Sequence, residues 1–223
     1  MSTVLFVVTG ARSWTLADGR QHPTGYWAEE LLTPYRILTE AGHRVAFATP
    51  GGVEPVIDAA SLEADPDARA AIEAIEGLAR PLPLEEVALG DYDAVFYPGG
   101  HGPMEDLAAD PTSGALIAAA LRDETPLALV CHGVAALLAA RDADGALAAR
   151  GRTVAAFTDE EERQGGLADA ASWLLESTLR EQGVTVDTAA PWADHVVEDG
   201  ALVSGQNSQS SASVARALLA RLA

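Results

Sequence analysis

Lysine is absent from this 223-residue chain, so all 14 basic side chains are arginines, set against 33 carboxylates for a formal net charge of −19. Such a surface, with an isoelectric point near 4.4, repels phosphate backbones and anionic headgroups, which excludes nucleic acid and membrane surfaces as partners. Cysteine is almost absent as well. The single thiol, Cys131, permits no internal disulfide, which points to a reducing compartment and an expected cytoplasmic location. The five histidines (His22, His43, His101, His132 and His195) include no pair at the close spacing of a zinc motif, so no metal or other cofactor is expected. Long apolar runs are also missing. Val4 to Val8 is too short to cross a bilayer, and no basic stretch precedes it as in a signal peptide.

What is present is enough to build a core. Hydrophobic residues make up 48% of the chain, with no repeat, low-complexity tract or linker, so one domain spanning 1–223 is expected. Short apolar runs alternate with segments of helical period. Strands are predicted at Val4 to Val8, Arg44 to Thr49, Asp93 to Tyr97, Leu127 to Val130 and Arg152 to Phe157. Shorter ones are predicted at Thr185 to Asp187, His195 to Val197 and Ala201 to Ser204. Helices are predicted over 27–41, with Pro34 as a kink and Gly42 at the cap, and over 68–78, 114–122, 134–140, 173–182 and 208–222. Continuous apolar strands between helices describe an α/β fold, a mostly parallel sheet with helices on both faces. In such folds ligands bind at the carboxyl ends of the strands.

Cys131 lies at one of those ends, where the strand Leu127 to Val130 gives way to His132-Gly133 and a following helix. A nucleophile at a sharp strand-to-helix turn projects from the sheet edge, as in the G-x-S-x-G elbow, although Leu129 stands where that pattern has its first Gly. The positive end of the helix favours thiolate over thiol, and His132 is placed to act as base or charge partner. The competing reading is an inert buried thiol. Two other segments reach the same edge. Pro98-Gly99-Gly100-His101-Gly102 follows a strand, and its amides, with that of His132, suit an oxyanion hole. His101 is placed either to line the pocket or to shape the loop. Gly25 to Pro34 opens a helix with Glu29 and Glu30, which alone are merely two favourable first-turn carboxylates.

Together these pieces resemble the ThiJ/PfpI superfamily, whose members have a flavodoxin-like three-layer sandwich related to class I glutamine amidotransferases. Within it the chain is similar to the glutathione-independent glyoxalases (glyoxalase III, also described as D-lactate dehydratase and as holding chaperones). The resemblance rests on Thr24 to Pro34, Tyr97 to Gly102 and Val130 to Gly133, and continues through Ala156 to Glu162, Ala190-Pro191-Trp192 and Asp199 to Asn207. It implies Cys131 as nucleophile, His132 as its partner, and an acid on that His at Glu162, with Asp159 as the alternative register. Glu160 and Glu161 are expected to face solvent. The buried glutamate beside the thiol falls at Glu30, where it should stay protonated because two adjacent anions repel. Gly100 and His101 are the implied substrate-binding residues, and a homodimer is the implied assembly. Val134 and Ser208 stand where relatives often carry Pro.

The implied reaction is cofactor-free conversion of methylglyoxal or a related 2-oxoaldehyde to the 2-hydroxy acid. Glutamine amidotransferase activity needs a downstream His-x-Glu dyad, which Asp194-His195-Val196-Val197-Glu198 does not supply. Peptidase activity, chaperone action and redox sensing through Cys131 remain the alternatives for this fold.

Overall fold

The computed structural model describes every residue except 64 and 66. The chain runs β1 (Thr3–Val7), a hairpin of β2 (Ser13–Thr15) and β3 (Gln21–Pro23), α1 (Ala28–Glu40), β4 (Arg44–Thr49), α2 (Ala68–Glu73), β5 (Leu82–Pro83) and β6 (Ala94–Tyr97). It continues with α3 (Gly102–Glu105), α4 (Pro111–Arg122), β7 (Leu127–Val130), β8 (Thr153–Val154), α5 (Asp159–Gly165), α6 (Leu175–Glu181), β9 (Thr185–Val186), β10 (Val196–Asp199), β11 (Leu202–Gly205) and α7 (Ser211–Arg221).

Seven strands form one sheet in the order β10-β11-β7-β6-β1-β4-β5, parallel except for the β10–β11 pair. The fully buried strands β6, β7 and β11 read as unbroken apolar or small-residue runs because both faces of the sheet are covered. On one side α1 packs against α7, and on the other α4 packs against residues 131–139. The chain starts in the middle at β1, builds outward to β4 and β5, and then returns to the other side of β1 at β6. This reversal leaves a crevice beyond the carboxyl ends of β1, β6 and β7.

Helix α1 runs through Pro34 without interruption, and Gly42, at φ +87°, donates to the Thr39 carbonyl and stops it. Gly200-Ala201 turns β10 into β11, with Gly200 at φ +62°.

Four expectations change. The segment after β1, where no element is predicted above, contains the β2–β3 hairpin, too short to show a period. Residues 131–139 form 3-10 turns rather than an α-helix. Helix α2 ends at Glu73, before Gly77 at φ +89°. The predicted strand 152–157 shrinks to β8 and pairs with β9 outside the main sheet, because Asp199 takes the Thr153 amide and Ser204 Oγ takes the Ala155 amide.

Candidate active site

Cys131 is the first residue after β7, and it adopts φ +56°, a left-handed conformation that strains a non-glycine residue by about 1–3 kcal/mol. Gly133 makes this bend feasible. A Cβ there would lie 2.5 Å from the Tyr97 carbonyl oxygen, so β6 and β7 approach one another only because that atom is missing. Gly99 is under the same constraint, since its Cβ would meet Glu30 Oε2 at 2.6 Å and the Gly133 nitrogen at 2.9 Å. Gly100, at φ +87°, passes equally close to the Gly25 carbonyl.

The turns after β6 and β7 and the first turn of α5 deliver the polar groups. Cys131 Sγ lies 3.4 Å from His132 Nδ1, and His132 Nε2 lies 2.7 Å from Glu162 Oε2. His101 Nε2 reaches the other oxygen of the same carboxylate, Oε1, at 2.9 Å. The hydrogen-bond pattern assigns both imidazoles an Nε2–H donating to Glu162, which leaves His132 Nδ1 as an acceptor facing the thiol. Burial is the main reason that His132 is harder to protonate than a free imidazole, and the neighbouring His101 adds to it. Burial alone would raise Glu162, but the two imidazoles overcome it and hold that carboxyl well below the usual range, so Glu162 is the ionised member of the cluster.

Glu30 approaches the thiol from α1. It is wholly buried, and its Oε2 accepts the Gly99 amide at 2.8 Å. Burial pushes its carboxyl up to about 8, against smaller opposing effects from Cys131 and the Gly99 amide. The shift favours the protonated form at neutral pH. Its Oε1 is buried without a hydrogen-bond partner among the described residues. Glu29, one residue away, is exposed.

The expectation that a helix dipole lowers the Cys131 pKa is overturned. No α-helix follows it, and burial, together with Glu30, raises the thiol well above its ordinary value, opposed only by the His132 amide. Burial and Glu30 thus favour the neutral thiol, and His132 Nδ1, 3.4 Å away, is placed to take its proton.

The register question in residues 159–162 also has a geometric answer. Helix α5 starts with a capping box between Thr158 and Glu161, which turns Glu162 onto the His132 ring. Asp159 instead binds the Ser177 hydroxyl and lies away from the imidazole. Glu160 is exposed, but Glu161 does not face solvent as expected. It is completely buried, accepting from Thr158 through Oε2 and from Trp192, Gln206 and Asn207 through Oε1. The capping geometry places the N3 side chain inward, which a run of three glutamates conceals.

These groups open onto a cavity of about 280 Å³ whose wall includes Gly100, His101, Phe157 and Trp192. Its aromatic parts were not legible in the sequence. Trp14 stacks on His101 at 5.0 Å and His22 meets it edge-on, while Phe157 lies against His132 at 4.3 Å. Trp14 and His22 come from the hairpin that had no visible period. The ligand atoms of His101, His132 and Glu162 also lie within 4.8 Å of one another, a set able to hold a divalent transition ion. It was invisible to spacing because its members come from three segments far apart in the chain. His195 is not part of the cavity wall.

The described residues contain no helix long and apolar enough to cross a membrane. The probable glutathione-independent glyoxalase hsp3104 of Schizosaccharomyces pombe is 33% identical over 139 residues, covering 60% of this chain and 63% of that relative. The protein/nucleic acid deglycase HchA of Staphylococcus aureus is 29% identical over 196 residues, covering 82% of this chain and 67% of the relative. The crystal structure of glyoxalase III from Candida albicans superposes with a TM-score of 0.86 over 99% of this chain and 97% of that one, at 22% identity. The pattern of the DJ-1/PfpI family matches residues 23–221, and the chain belongs to that family.

Proposed function

We propose that the protein converts methylglyoxal and related 2-oxoaldehydes to 2-hydroxy acids without glutathione or another cofactor. The observation that carries this reading is the relay from Cys131 Sγ through His132 to Glu162, with the protonated, half-unpartnered Glu30 across the thiol. The glyoxalase and deglycase relatives support it at the level of the family.

In this scheme His132 Nδ1 takes the thiol proton, and Glu162 balances the imidazolium that forms. The sulfur bonds to the aldehyde carbon, and Glu30 protonates the resulting oxyanion, which the amides at Gly100 and His132 support. Glu30, now a carboxylate, removes the hydrogen on that carbon while the imidazolium protonates the neighbouring carbonyl oxygen, giving an enediol. Glu30 then delivers its proton to the second carbon as His132 takes one from the first hydroxyl, leaving a thioester. Water adds to the thioester and passes its proton to Glu30, while the imidazolium protonates the departing thiolate. The aldehyde carbon is oxidised, its neighbour is reduced, and one water is consumed.

Purified protein given methylglyoxal alone is expected to form lactate, measured by NMR. Cys131→Ser should abolish turnover, and turnover that survives it rejects the scheme. Glu162→Ala should lower kcat by at least about 100-fold, the usual scale for losing general acid–base assistance, and Asp159→Ala by far less. The reverse order would move the acid to Asp159.

A further inference from the structure

Trp192 stands in the cavity wall although no step above uses it. It adopts φ +63°, a strained conformation for a bulky residue, and keeps 43% of its surface exposed. Neither feature is spontaneous. An indole normally escapes both by relaxing the backbone and burying the ring, so something must hold it.

The holding group is Glu161. Its buried Oε1 accepts the Trp192 amide at 2.8 Å, and the same oxygen takes Gln206 Nε2 at 3.0 Å and Asn207 Nδ2 at 2.8 Å. Gln206 and Asn207 fix the loop on both sides of the Trp, since Gln206 Oε1 accepts the Ala189 amide and Asn207 Nδ2 donates to the Ala193 carbonyl. The indole itself donates to Gln164 Oε1 at 2.7 Å and meets the Phe157 ring edge-on at 5.6 Å. Phe157 lies in turn on His132, so a continuous aromatic wall leads from the exposed indole to the thiol's partner.

The cavity behind this wall exceeds what two carbonyls and a methyl group fill, since about 300 Å³ is the lower end for pockets enclosing drug-sized ligands. Leu167 and Trp27 also line it, and no arginine does among the described residues, so no permanent cation there selects for an acidic substituent on the substrate. The charged side chains in the wall are acids and histidines.

We propose that Trp192, Phe157 and Leu167 form a subsite for a flat apolar substituent, making neutral aryl 2-oxoaldehydes better substrates than glyoxal, with Glu161 as the positioning residue that stands Trp192 over the cavity. The proposal rests on the glyoxalase reading above.

The kinetic test compares kcat/KM for phenylglyoxal and glyoxal. Wild type is expected to favour phenylglyoxal, and Trp192→Ala to reduce the ratio about tenfold, chiefly through KM for the aryl substrate, whereas Trp192→Phe keeps most of it. Glu161→Gln should lower the same ratio, and Asp110→Ala, which removes the cap of α4 and touches none of these groups, should not. A ratio that Trp192→Ala leaves unmoved, or that Glu161→Gln and Asp110→Ala move alike, overturns the proposal. A binding arm separates it from the chemistry. Acetophenone titrated into Cys131→Ser by calorimetry should bind saturably, and the Cys131→Ser/Trp192→Ala protein should lose that binding. Turnover of no oxoaldehyde alongside Trp192-dependent binding rejects only the glyoxalase reading, and binding indifferent to Trp192 rejects the subsite.

Discussion

Glu30 keeps a carboxyl in a place that water does not reach, and the sign of its effect on stability follows from its shifted pKa. Below its unfolded value of about 4.3 it is protonated in both states and burial exacts no ionic penalty. Between there and its folded value of about 8, the unfolded chain releases the proton and the folded chain keeps it. Stability therefore falls as pH rises across that window, by up to about 1.4 kcal/mol per pH unit from this group, and levels off above it. Glu30→Gln is expected to abolish most activity while raising Tm relative to wild type, with a gap that opens progressively from pH 4.5 to 8. Thermal scans of both proteins across that range measure it. A gap of constant size would mean that Glu30 is ionised in the folded protein. At this scale the sequence displayed the chemistry unevenly. Cys131 and His132 showed through local context, and Glu30 and Glu162 only through the resemblance. Glu161 was misjudged because three adjacent glutamates differ only in helix phase, and phase depends on the Thr158 cap.

Among the elements, long apolar strands were legible because their hydrophobic continuity is imposed by helices on both sides, and Arg44–Thr49 and Leu127–Val130 appear with the predicted bounds. The short β2, β3 and β5 strands carry too few residues for a period, and β8 looked longer than it is because its neighbours' side chains claim its backbone amides. The junctions between elements depend on what glycine omits. Gly133→Ala would press a methyl within 2.5 Å of the Tyr97 carbonyl and 2.8 Å of the Pro98 carbonyl, both backbone atoms that move only if β6 and β7 separate. Its expected effect is a loss of at least about 3 kcal/mol, comparable to the severe backbone and core defects. Gly165→Ala meets nothing within 4 Å at the end of α5, where the residue is helical, and should instead stabilise by about 0.5–1 kcal/mol. Urea unfolding of the two variants tests the contrast, and equal midpoints would refute the reading of Gly133 as a steric requirement.

Across the whole molecule the charge imbalance outweighs any single ion pair. The salt bridges Arg20–Asp18, Arg122–Asp123 and Arg163–Glu160 have both side chains more than half exposed, and water and salt screen such pairs so that they add little. Against them stands a net charge of −19, whose mutual repulsion favours the expanded chain. Screening weakens both effects, but the repulsion involves every uncompensated carboxylate, whereas the attraction involves a few mobile pairs. Raising sodium chloride from about 0.01 M to about 1 M shortens the Debye length from roughly 30 Å to roughly 3 Å, and Tm is expected to rise. A gain of about 1–2 kcal/mol corresponds to about 2–8 °C for a chain of this size. Chloride is the appropriate anion, because sulfate strengthens apolar burial on its own account. The rise should shrink as the pH of the scan approaches 4.4, where the net charge vanishes. A Tm that falls with salt at pH 7 would show that local pairs, and not the overall field, dominate the electrostatics of this fold.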